Sequence, residues 1–146
     1  MRGELTARSM AGYSGTPLPK KLGIKPESSR VLVLGGPEGF ARSLGVKVET
    51  KPAAGAKYDV IVAFATERAK LLSTFKAMLK VMQPNAGLWA AWPKKASGVQ
   101  TDITEDTVRA IALPMGLVDN KVCAIDETWS GLRCVIRFEL RAKAPR

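Results

Sequence analysis

The stretch Arg30-Val-Leu-Val-Leu-Gly-Gly-Pro-Glu-Gly-Phe40 decides how the rest of the chain is arranged. Its four consecutive apolar residues, 31–34, predict a strand that is covered on both faces, as in a parallel sheet. The glycines that follow predict a turn, and glycine-rich turns after buried strands often hold a phosphate or a nucleotide. The stretch therefore indicates an α/β fold and raises the question of whether its loop binds a ligand.

The composition describes an ordinary globular protein. The chain has 146 residues, of which 46% are apolar and 25% charged, and this length is typical of one domain. No apolar run approaches the ~20 residues of a membrane span, and the N-terminus lacks a signal-peptide core. We therefore expect a cytoplasmic protein without a membrane partner. The predicted organisation is a flexible basic N-terminus (1–12), a single α/β domain (13–140) and a basic C-terminal tail (141–146).

The net charge of +10 is concentrated at the two ends of the chain. Residues 1–30 carry six Lys and Arg against two Glu, and residues 137–146 carry four against one. Basic ends either attract nucleic acid or only keep the chain solvated. A nucleic-acid interface predicts an affinity that falls steeply with salt and is lost when residues 1–10 and 138–146 are removed.

The chain contains no histidine, which excludes Ser-His-Asp and Cys-His catalysis and removes the commonest metal ligand. Its two cysteines, Cys123 and Cys134, are eleven residues apart and cannot complete a structural zinc site by themselves. We interpret them as small core residues and expect no metal site.

Strands and helices alternate along the chain. Apolar residues between 71 and 82 recur with helical spacing, and Thr66 is expected to cap that helix. Thr104 is expected to cap a second helix. After the first strand, further strands are predicted at 46–50, 58–64, 87–92, 117–126 and 132–140. This order predicts a mostly parallel sheet with a C-terminal antiparallel hairpin.

That arrangement resembles the class I methyltransferases. The stretches Tyr58-Asp-Val-Ile-Val-Ala-Phe64 and Gly87-Leu-Trp-Ala-Ala-Trp92 resemble the fourth and fifth strands of that family, and 117–140 resembles its sixth and seventh. The resemblance implies a minimal Rossmann-like, methyltransferase-like α/β domain. It also implies S-adenosylmethionine as a possible cofactor, although the residues themselves establish none.

The first half departs from the methyltransferase pattern. Only 23 residues separate Gly35 from Tyr58, whereas one βαβ unit takes about 30 or more. At least one helix and one strand are therefore missing. Glu49 is either the acid that holds the cofactor ribose in this family or a solvated charge on an edge strand.

Four motifs also resemble a bacterial family of small proteins that is known as a domain of unknown function. This second resemblance covers nearly all of residues 11–137, and it implies a compact bacterial protein without a defined substrate. The motifs are Ala11-Gly-Tyr-Ser-Gly-Thr-Pro-Leu18, Leu34-Gly-Gly-Pro-Glu-Gly-Phe40, Trp92-Pro-Lys-Lys-Ala-Ser-Gly98 and Asp126-Glu-Thr-Trp-Ser-Gly-Leu132.

Ligands of open parallel sheets bind at the carboxyl ends of the strands. Four loops, 35–40, 65–67, 92–98 and 127–131, are predicted to meet at that edge. An N-terminal segment that includes Tyr13 is expected either to cover the edge as a lid or to anchor in the core. The candidate ligand-binding residues are Gly35, Gly36, Glu38, Thr66, Trp92, Lys94, Lys95, Ser97, Glu127, Trp129 and Tyr13.

Each motif has two interpretations. The glycine loop either offers amides to an anion or is only a tight turn, because Pro37 lacks an N–H and Glu38 is negative. Lys94 and Lys95 either form an anion site with Ser97, beside a stacking ring from Trp92, or are solvated.

The Asp-Glu-Thr-Trp motif is equally open. Glu127 either pairs with Lys94 or Lys95 or holds a ligand, and it can act as a general base only if burial raises its pKa.

Three functions are compatible with these patterns. The leading interpretation is a non-catalytic or degenerate methyltransferase-like domain that binds a small anionic ligand or a protein partner. The alternatives are an active S-adenosylmethionine-dependent methyltransferase, since methyl transfer can run on proximity and orientation, and a protein that binds nucleic acid through its basic termini.

Overall fold

A computed structural model describes residues 15–143 of the chain. The predicted flexible N-terminus, Tyr13 and the last three residues of the predicted C-terminal tail lie outside this range. Within it, a five-stranded sheet is built in the order β1-β2-β3-β5-β4. The strands are β1 (Val31–Leu34), β2 (Tyr58–Phe64), β3 (Met82–Pro93), β4 (Leu117–Ala124) and β5 (Trp129–Ile136).

Short and long helices connect these strands. The α-helices are α1 (Leu18–Lys21), α2 (Phe40–Ser43), α3 (Arg68–Met78) and α4 (Glu105–Ala112), and the 3-10 turns are Leu79–Val81, Lys95–Ser97, Leu113–Met115 and Phe138–Lys143.

The sheet separates two hydrophobic layers, as continuous apolar strands predict. One face of the sheet packs against α3 and α4 through residues such as Leu32, Ile61 and Phe75. The other face packs against α1 and α2, with Trp89 as its largest fully buried side chain. The indole N–H of Trp89 donates to the carbonyl of Leu22 at 3.1 Å, which fixes the segment after α1 on this face.

The sheet is mixed, so the prediction of a mostly parallel sheet is met only in part. β1 pairs with β2, and β2 with β3, in parallel, whereas β5 pairs antiparallel with both β3 and β4. The two antiparallel ladders together are longer than the two parallel ones. Because β5 alone runs against its neighbours, the other four strands share one direction. The predicted hairpin is present, with its turn shifted to residues 125–128.

The predicted strand over 46–50 is wrong. A single parallel bridge, between Leu32 and Glu49, is all that joins this segment to β1. The N–H of Glu49 donates to the carbonyl of Val31 at 2.9 Å and its carbonyl accepts from the N–H of Val33 at 2.8 Å, but within residues 15–143 no second pair of residues extends these bonds into a ladder. The parallel half of the sheet therefore ends at β1.

The two long helices begin differently. Thr104 caps α4 as predicted, because its hydroxyl accepts from the backbone N–H of Thr107 at 3.2 Å in a reciprocal capping box. The predicted cap of α3 by Thr66 is wrong. The carboxylate of Asp102, 34 residues away from Arg68 in sequence, accepts from the N–H of Arg68 at 2.7 Å instead. The start of α3 is thus held by the loop that precedes α4.

Candidate functional site

The glycine loop after β1 packs against the end of β2. Gly35 and Gly36 both have positive φ angles, 70° and 92°, which non-glycine residues rarely adopt. A Cβ atom at Gly36 would lie 2.6 Å from Cδ1 of Phe64. The space that a side chain would occupy at Gly36 is therefore filled by the Phe64 ring.

Phe64 is the centre of an aromatic cluster at the carboxyl end of the parallel strands. Its ring centroid lies 4.9 Å from that of Phe40 and 5.0 Å from that of Trp129, and both contacts are edge-to-face. Such contacts stabilise the rings beyond the area that they bury. The cluster joins the glycine loop, β2 and the start of β5.

An open cavity of about 540 Å³ lies beside this cluster. We call it the glycine-loop cavity. Its apolar wall carries the rings of Phe64 and Trp129, and its polar groups are two threonines and one lysine. It is lined by Gly36, Pro37, Phe64, Ala65, Thr66, Lys70, Val99, Thr128 and Trp129.

A second cavity, of about 370 Å³, lies beside the loop that follows β3. We call it the lysine-loop cavity. The side chain of Glu105 in its lining is bonded to Arg109, which also bonds Asp119 at 3.1 Å and so ties α4 to β4. The cavity is lined by Trp92, Pro93, Lys94, Lys95, Thr101, Ile103, Thr104, Glu105 and Ser130.

The loop between β3 and α4 separates the two cavities. The hydroxyl of Thr101 donates to the carbonyl of Thr66 at 2.6 Å, and Val99 faces the glycine-loop cavity while Thr101 faces the other. The amide of Lys94 donates to the carbonyl of Thr128 at 2.7 Å and fastens the loop to the hairpin. The loops thus meet at one edge, as expected, but they form two sites.

The candidate residues divide accordingly. Gly36, Thr66 and Trp129 line the glycine-loop cavity, whereas Trp92, Lys94 and Lys95 line the lysine-loop cavity. Trp92 is only 6% exposed and belongs to the core. Four of the remaining candidates line neither cavity, and Tyr13 lies outside the described residues. Those four are Gly35, Glu38, Ser97 and Glu127.

Local hydrogen bonds explain why Ser97 and Glu127 are not in the lining. The hydroxyl of Ser97 donates to the carbonyl of Lys94 at 2.6 Å and accepts from the N–H of Val99 at 3.1 Å, so it serves the turn. Glu127 is exposed at the hairpin tip and forms no ion pair with any residue in 15–143. The tip is closed by Asp126, whose carboxylate accepts from two backbone N–H groups.

Sequence reasoning missed Phe64, Lys70 and Thr128 as site residues. Phe64 ends an apolar strand and is naturally assigned to the core. A signal did exist for Lys70, because it lies off the apolar face of α3 in the first turn, directly after the candidate loop 65–67. The side-chain hydroxyls of Thr66 and Thr128 have no hydrogen-bond partner in residues 15–143 and are available to a ligand.

Glu49 plays neither of the roles considered for it. Its carboxylate accepts from the guanidinium of Arg30 at 2.6 and 3.0 Å and from the hydroxyl of Tyr58 at 2.7 Å. The bond to Arg30 makes the largest contribution and the bond to Tyr58 the next, and together they lower the pKa of Glu49 from 4.5 to about 2. The residue bridges to Leu32, near the amino end of β1, and is therefore away from the glycine loop.

Both cysteines are free thiols whose pKa is raised by burial. Cys134 is buried, and burial raises the pKa of its thiol to about 12. Cys123 is half-buried, and its pKa is raised by the same cause. Across residues 15–143, no group of three or more Cys, Asp and Glu side chains is arranged to hold a metal ion. None of the helices in that range has the length and apolar character needed to cross a membrane.

No protein-family model matches the chain. No curated protein matches it either. Several solved structures, however, have a similar fold. One is magnesium protoporphyrin IX methyltransferase (ChlM) from Synechocystis PCC 6803 with bound SAM, at 13% identity and a TM-score of 0.53 over 74% of this chain and 70% of that one.

Two further structures are similar. For the CcbJ methyltransferase from Streptomyces caelestis, the identity is 9% and the TM-score 0.55, over 82% of this chain and 86% of that one. For NSun6 from Pyrococcus horikoshii with SFG, the identity is 14% and the TM-score 0.57, over 91% of this chain and 55% of that one. The chain therefore has a methyltransferase-like fold, which confirms that part of the prediction. At these identities the likeness shows the fold alone, and the bacterial family stays a prediction.

Proposed function

We propose that this chain is a ligand-binding domain on a degenerate methyltransferase-like scaffold, with its site in the glycine-loop cavity. The observation that carries the proposal is the Phe64 ring against Gly36. A glycine loop serves a cofactor when it lets the ligand approach its backbone. Here that approach is taken by a side chain of the protein itself, and the parallel sheet ends at β1.

The chemistry of the cavity favours a small ligand that is partly aromatic and carries a negative charge. Phe64, Trp129 and Val99 supply an apolar wall, and the hydroxyls of Thr66 and Thr128 supply hydrogen bonds. Among residues 15–143, Lys70 is the one cation that lines the cavity. An apolar pocket of 300–1,000 Å³ with a few convergent polar groups is the usual form of a small-molecule site, and about 540 Å³ falls within that range.

The test is a pair of titrations on the full chain. Calorimetry with S-adenosylmethionine and S-adenosylhomocysteine should give no binding heat at micromolar concentrations. Titration with 8-anilinonaphthalene-1-sulfonate, an aromatic anion, should shift the NMR signals of Trp129 and the loop 65–67. Lys70→Gln should weaken that binding about three- to fivefold, because exposed ion pairs contribute up to about 1 kcal/mol.

Lys76→Gln is the matched control, because Lys76 is exposed on the same helix and does not line the cavity. Equal weakening in the two variants would contradict the proposed site. Tight binding of S-adenosylmethionine would contradict the degenerate scaffold.

An active S-adenosylmethionine-dependent methyltransferase is the second candidate. Its support is the fold of ChlM with bound SAM, together with an open cavity at the carboxyl end of the parallel strands. In that case the cavity residues would position a methyl acceptor, since the transfer depends mainly on orientation. Cofactor binding in the calorimetry is its first requirement, and transfer of a labelled methyl group its second.

A nucleic-acid interface at the C-terminal end is the third candidate. Phe138 is 81% exposed, and the guanidinium of Arg141 lies 5.7 Å from its ring centroid. An exposed aromatic among basic residues is a usual platform for single-stranded nucleic acid. Binding of a fluorescent oligonucleotide should weaken on Phe138→Ala and with added salt, and an unchanged affinity in both cases would contradict this candidate.

A further inference from the structure

Arg133 is a half-buried cation in the middle of β5. Its neighbours Leu132 and Cys134 point into the layer beneath α3 and α4, so alternation along the strand places Arg133 on the opposite face. The only hydrogen bond of its guanidinium within residues 15–143 is to the amide oxygen of Asn120, at 3.3 Å, and the guanidinium forms no ion pair there. Burying a charge without a counter-charge is costly.

The sheet is shaped to accept this guanidinium. A Cβ atom at Gly87 in β3 would lie 2.4 Å from Nε and 3.0 Å from Nη2 of Arg133. A glycine inside a strand weakens it, and it often marks a place where another group approaches the backbone closely. Gly87 therefore lets the Arg133 side chain lie directly on β3.

The side chain of Arg133 lines a cavity of about 420 Å³ at the amino end of the parallel strands. The ammonium group of Lys25, the hydroxyl of Ser28 and the amide of Asn85 have no partner in the described part of the chain. The cavity is lined by Gly23, Lys25, Ser28, Ser29, Asp59, Asn85 and Arg133.

Two lining residues have local bonds. The hydroxyl oxygen of Ser29 accepts from the N–H of Lys25 at 2.9 Å, which leaves its own hydrogen free to donate. Asp59 is the one carboxylate that the described residues contribute to the lining, and it accepts from the N–H of Arg30 at 2.7 Å. Donors and positive charges therefore exceed acceptors in this cavity, even with Asp59 included.

We propose that this amino-end cavity binds the phosphate group of a small phosphorylated molecule. A guanidinium offers parallel N–H donors that match two oxygens of a phosphate, and an ammonium group and hydroxyls can bind the remaining oxygens. A carboxylate would leave several of these donors unused. The pKa of Arg133 is lowered by burial and then by Arg141, and a bound dianion would offset both effects.

The site is independent of the proposed function. It lies at the opposite end of the strands from the glycine-loop cavity and shares no lining residue with it. Either of the two sites can therefore fail its test without affecting the other.

NMR titrations of the full chain at low ionic strength test the proposal, with inorganic phosphate in one arm and glycerol 3-phosphate in the other. Saturable shifts are expected at the amides of Lys25, residues 27–29, Gly87 and Arg133. Tighter binding of glycerol 3-phosphate assigns the site to a phosphomonoester, and equal binding assigns it to the free ion. Arg133→Lys keeps the positive charge but removes the parallel N–H donors of the guanidinium. This variant should weaken phosphate binding at least about tenfold.

Two further variants separate binding from folding. Lys25→Gln changes an exposed loop residue, so it should leave the thermal unfolding unchanged and weaken phosphate binding about three- to fivefold. Replacing both Lys94 and Lys95 by Gln at the other end of the sheet should leave phosphate binding unchanged. No saturable shift at millimolar phosphate, or equal affinities in the wild type, Arg133→Lys and Lys25→Gln, would overturn the proposal.

Discussion

Two glycines at opposite ends of the same sheet differ in what lies against them. At the carboxyl end, Gly36 faces the apolar ring of Phe64 at a distance that excludes a side chain. At the amino end, Gly87 faces the guanidinium of Arg133 just as closely. The ring is held by edge-to-face contacts with two other rings, whereas the guanidinium has one hydrogen bond within residues 15–143 and borders a polar cavity.

The difference shows how a glycine beside a strand should be interpreted. At both glycines another group of the protein approaches the backbone closely, and neither contact by itself requires a ligand. Whether a site results depends on the approaching group. An apolar ring is satisfied by packing, while a cation without a counter-charge still lacks a partner.

The largest expected effect in this comparison follows from Gly36→Ala. The left-handed backbone costs an L-residue about 1–2 kcal/mol and overpacking against Phe64 about 1–3 kcal/mol, so the free energy of unfolding should fall by about 2–5 kcal/mol. Gly39→Ala is the control, because Gly39 has a φ of 85° and no atom within 4 Å of the added Cβ. The free energy of unfolding of Gly39→Ala should therefore fall only by the backbone cost of about 1–2 kcal/mol.

Urea unfolding measures both variants, and a Phe64→Ala background isolates the clash. In that background, Gly36→Ala should cost no more than Gly39→Ala. If the two variants are equally stable in the presence of Phe64, the ring does not occupy the space beside Gly36.

A smaller effect is expected for Gly87→Ala. No positive φ is involved, and the atoms that clash belong to a long, flexible side chain that can move. Alanine also removes the entropic cost of about 0.5–1 kcal/mol that a glycine has within a strand. The free energy of unfolding should therefore change by less than about 1 kcal/mol, while the backbone amide of Arg133 shifts in the NMR spectrum. A loss as large as that of Gly36→Ala would mean that the guanidinium is as fixed as the ring.

The smallest effect concerns the Arg30–Glu49 pair, the other charged contact at the amino end. The pKa of Glu49 is lowered from 4.5 to about 2, so its contribution to stability is complete above 4.5 and is lost as the pH falls toward 2. Glu49→Gln should therefore lower Tm slightly at pH 7, and the difference from the wild type should vanish between those pH values. Thermal unfolding across pH measures this, with Glu27→Gln on an exposed turn as the control. A constant difference down to pH 2 would contradict the assignment.

Much of the second half of the fold could be predicted from the sequence, because its signals are local. The apolar strand β2, the amphipathic spacing of α3, the Thr104 cap and the C-terminal hairpin depend on residues close together in the chain. The segment 46–50 was wrongly predicted because alternation is necessary but not sufficient. A strand also needs a partner that stays aligned with it over several residues, whereas within residues 15–143 only Glu49 of this segment is aligned with β1.

The sequence predicts which loops gather at the candidate site, but it does not predict which residues share a cavity. Thr66 and Lys94 follow neighbouring strands, as their positions in the sequence require, yet the loop between β3 and α4 separates them. That separation depends on a bond between Thr101 and Thr66, 35 residues apart. Lys70 was within reach of sequence reasoning, whereas the position of Phe64 against Gly36 was not.

The sequence by itself determined the α/β class, the likeness to methyltransferases and the edge at which loops of interest gather, because periodicity and turn residues act over a few positions. The tertiary structure alone decided that Phe64 packs against Gly36, that the lysines line a separate cavity and that Arg133 lies on Gly87 without an ion pair to any residue in 15–143. Those outcomes depend on contacts between side chains that lie far apart in the sequence. Because protein interiors are closely packed, the position of one ring or the absence of one Cβ determines which space stays open.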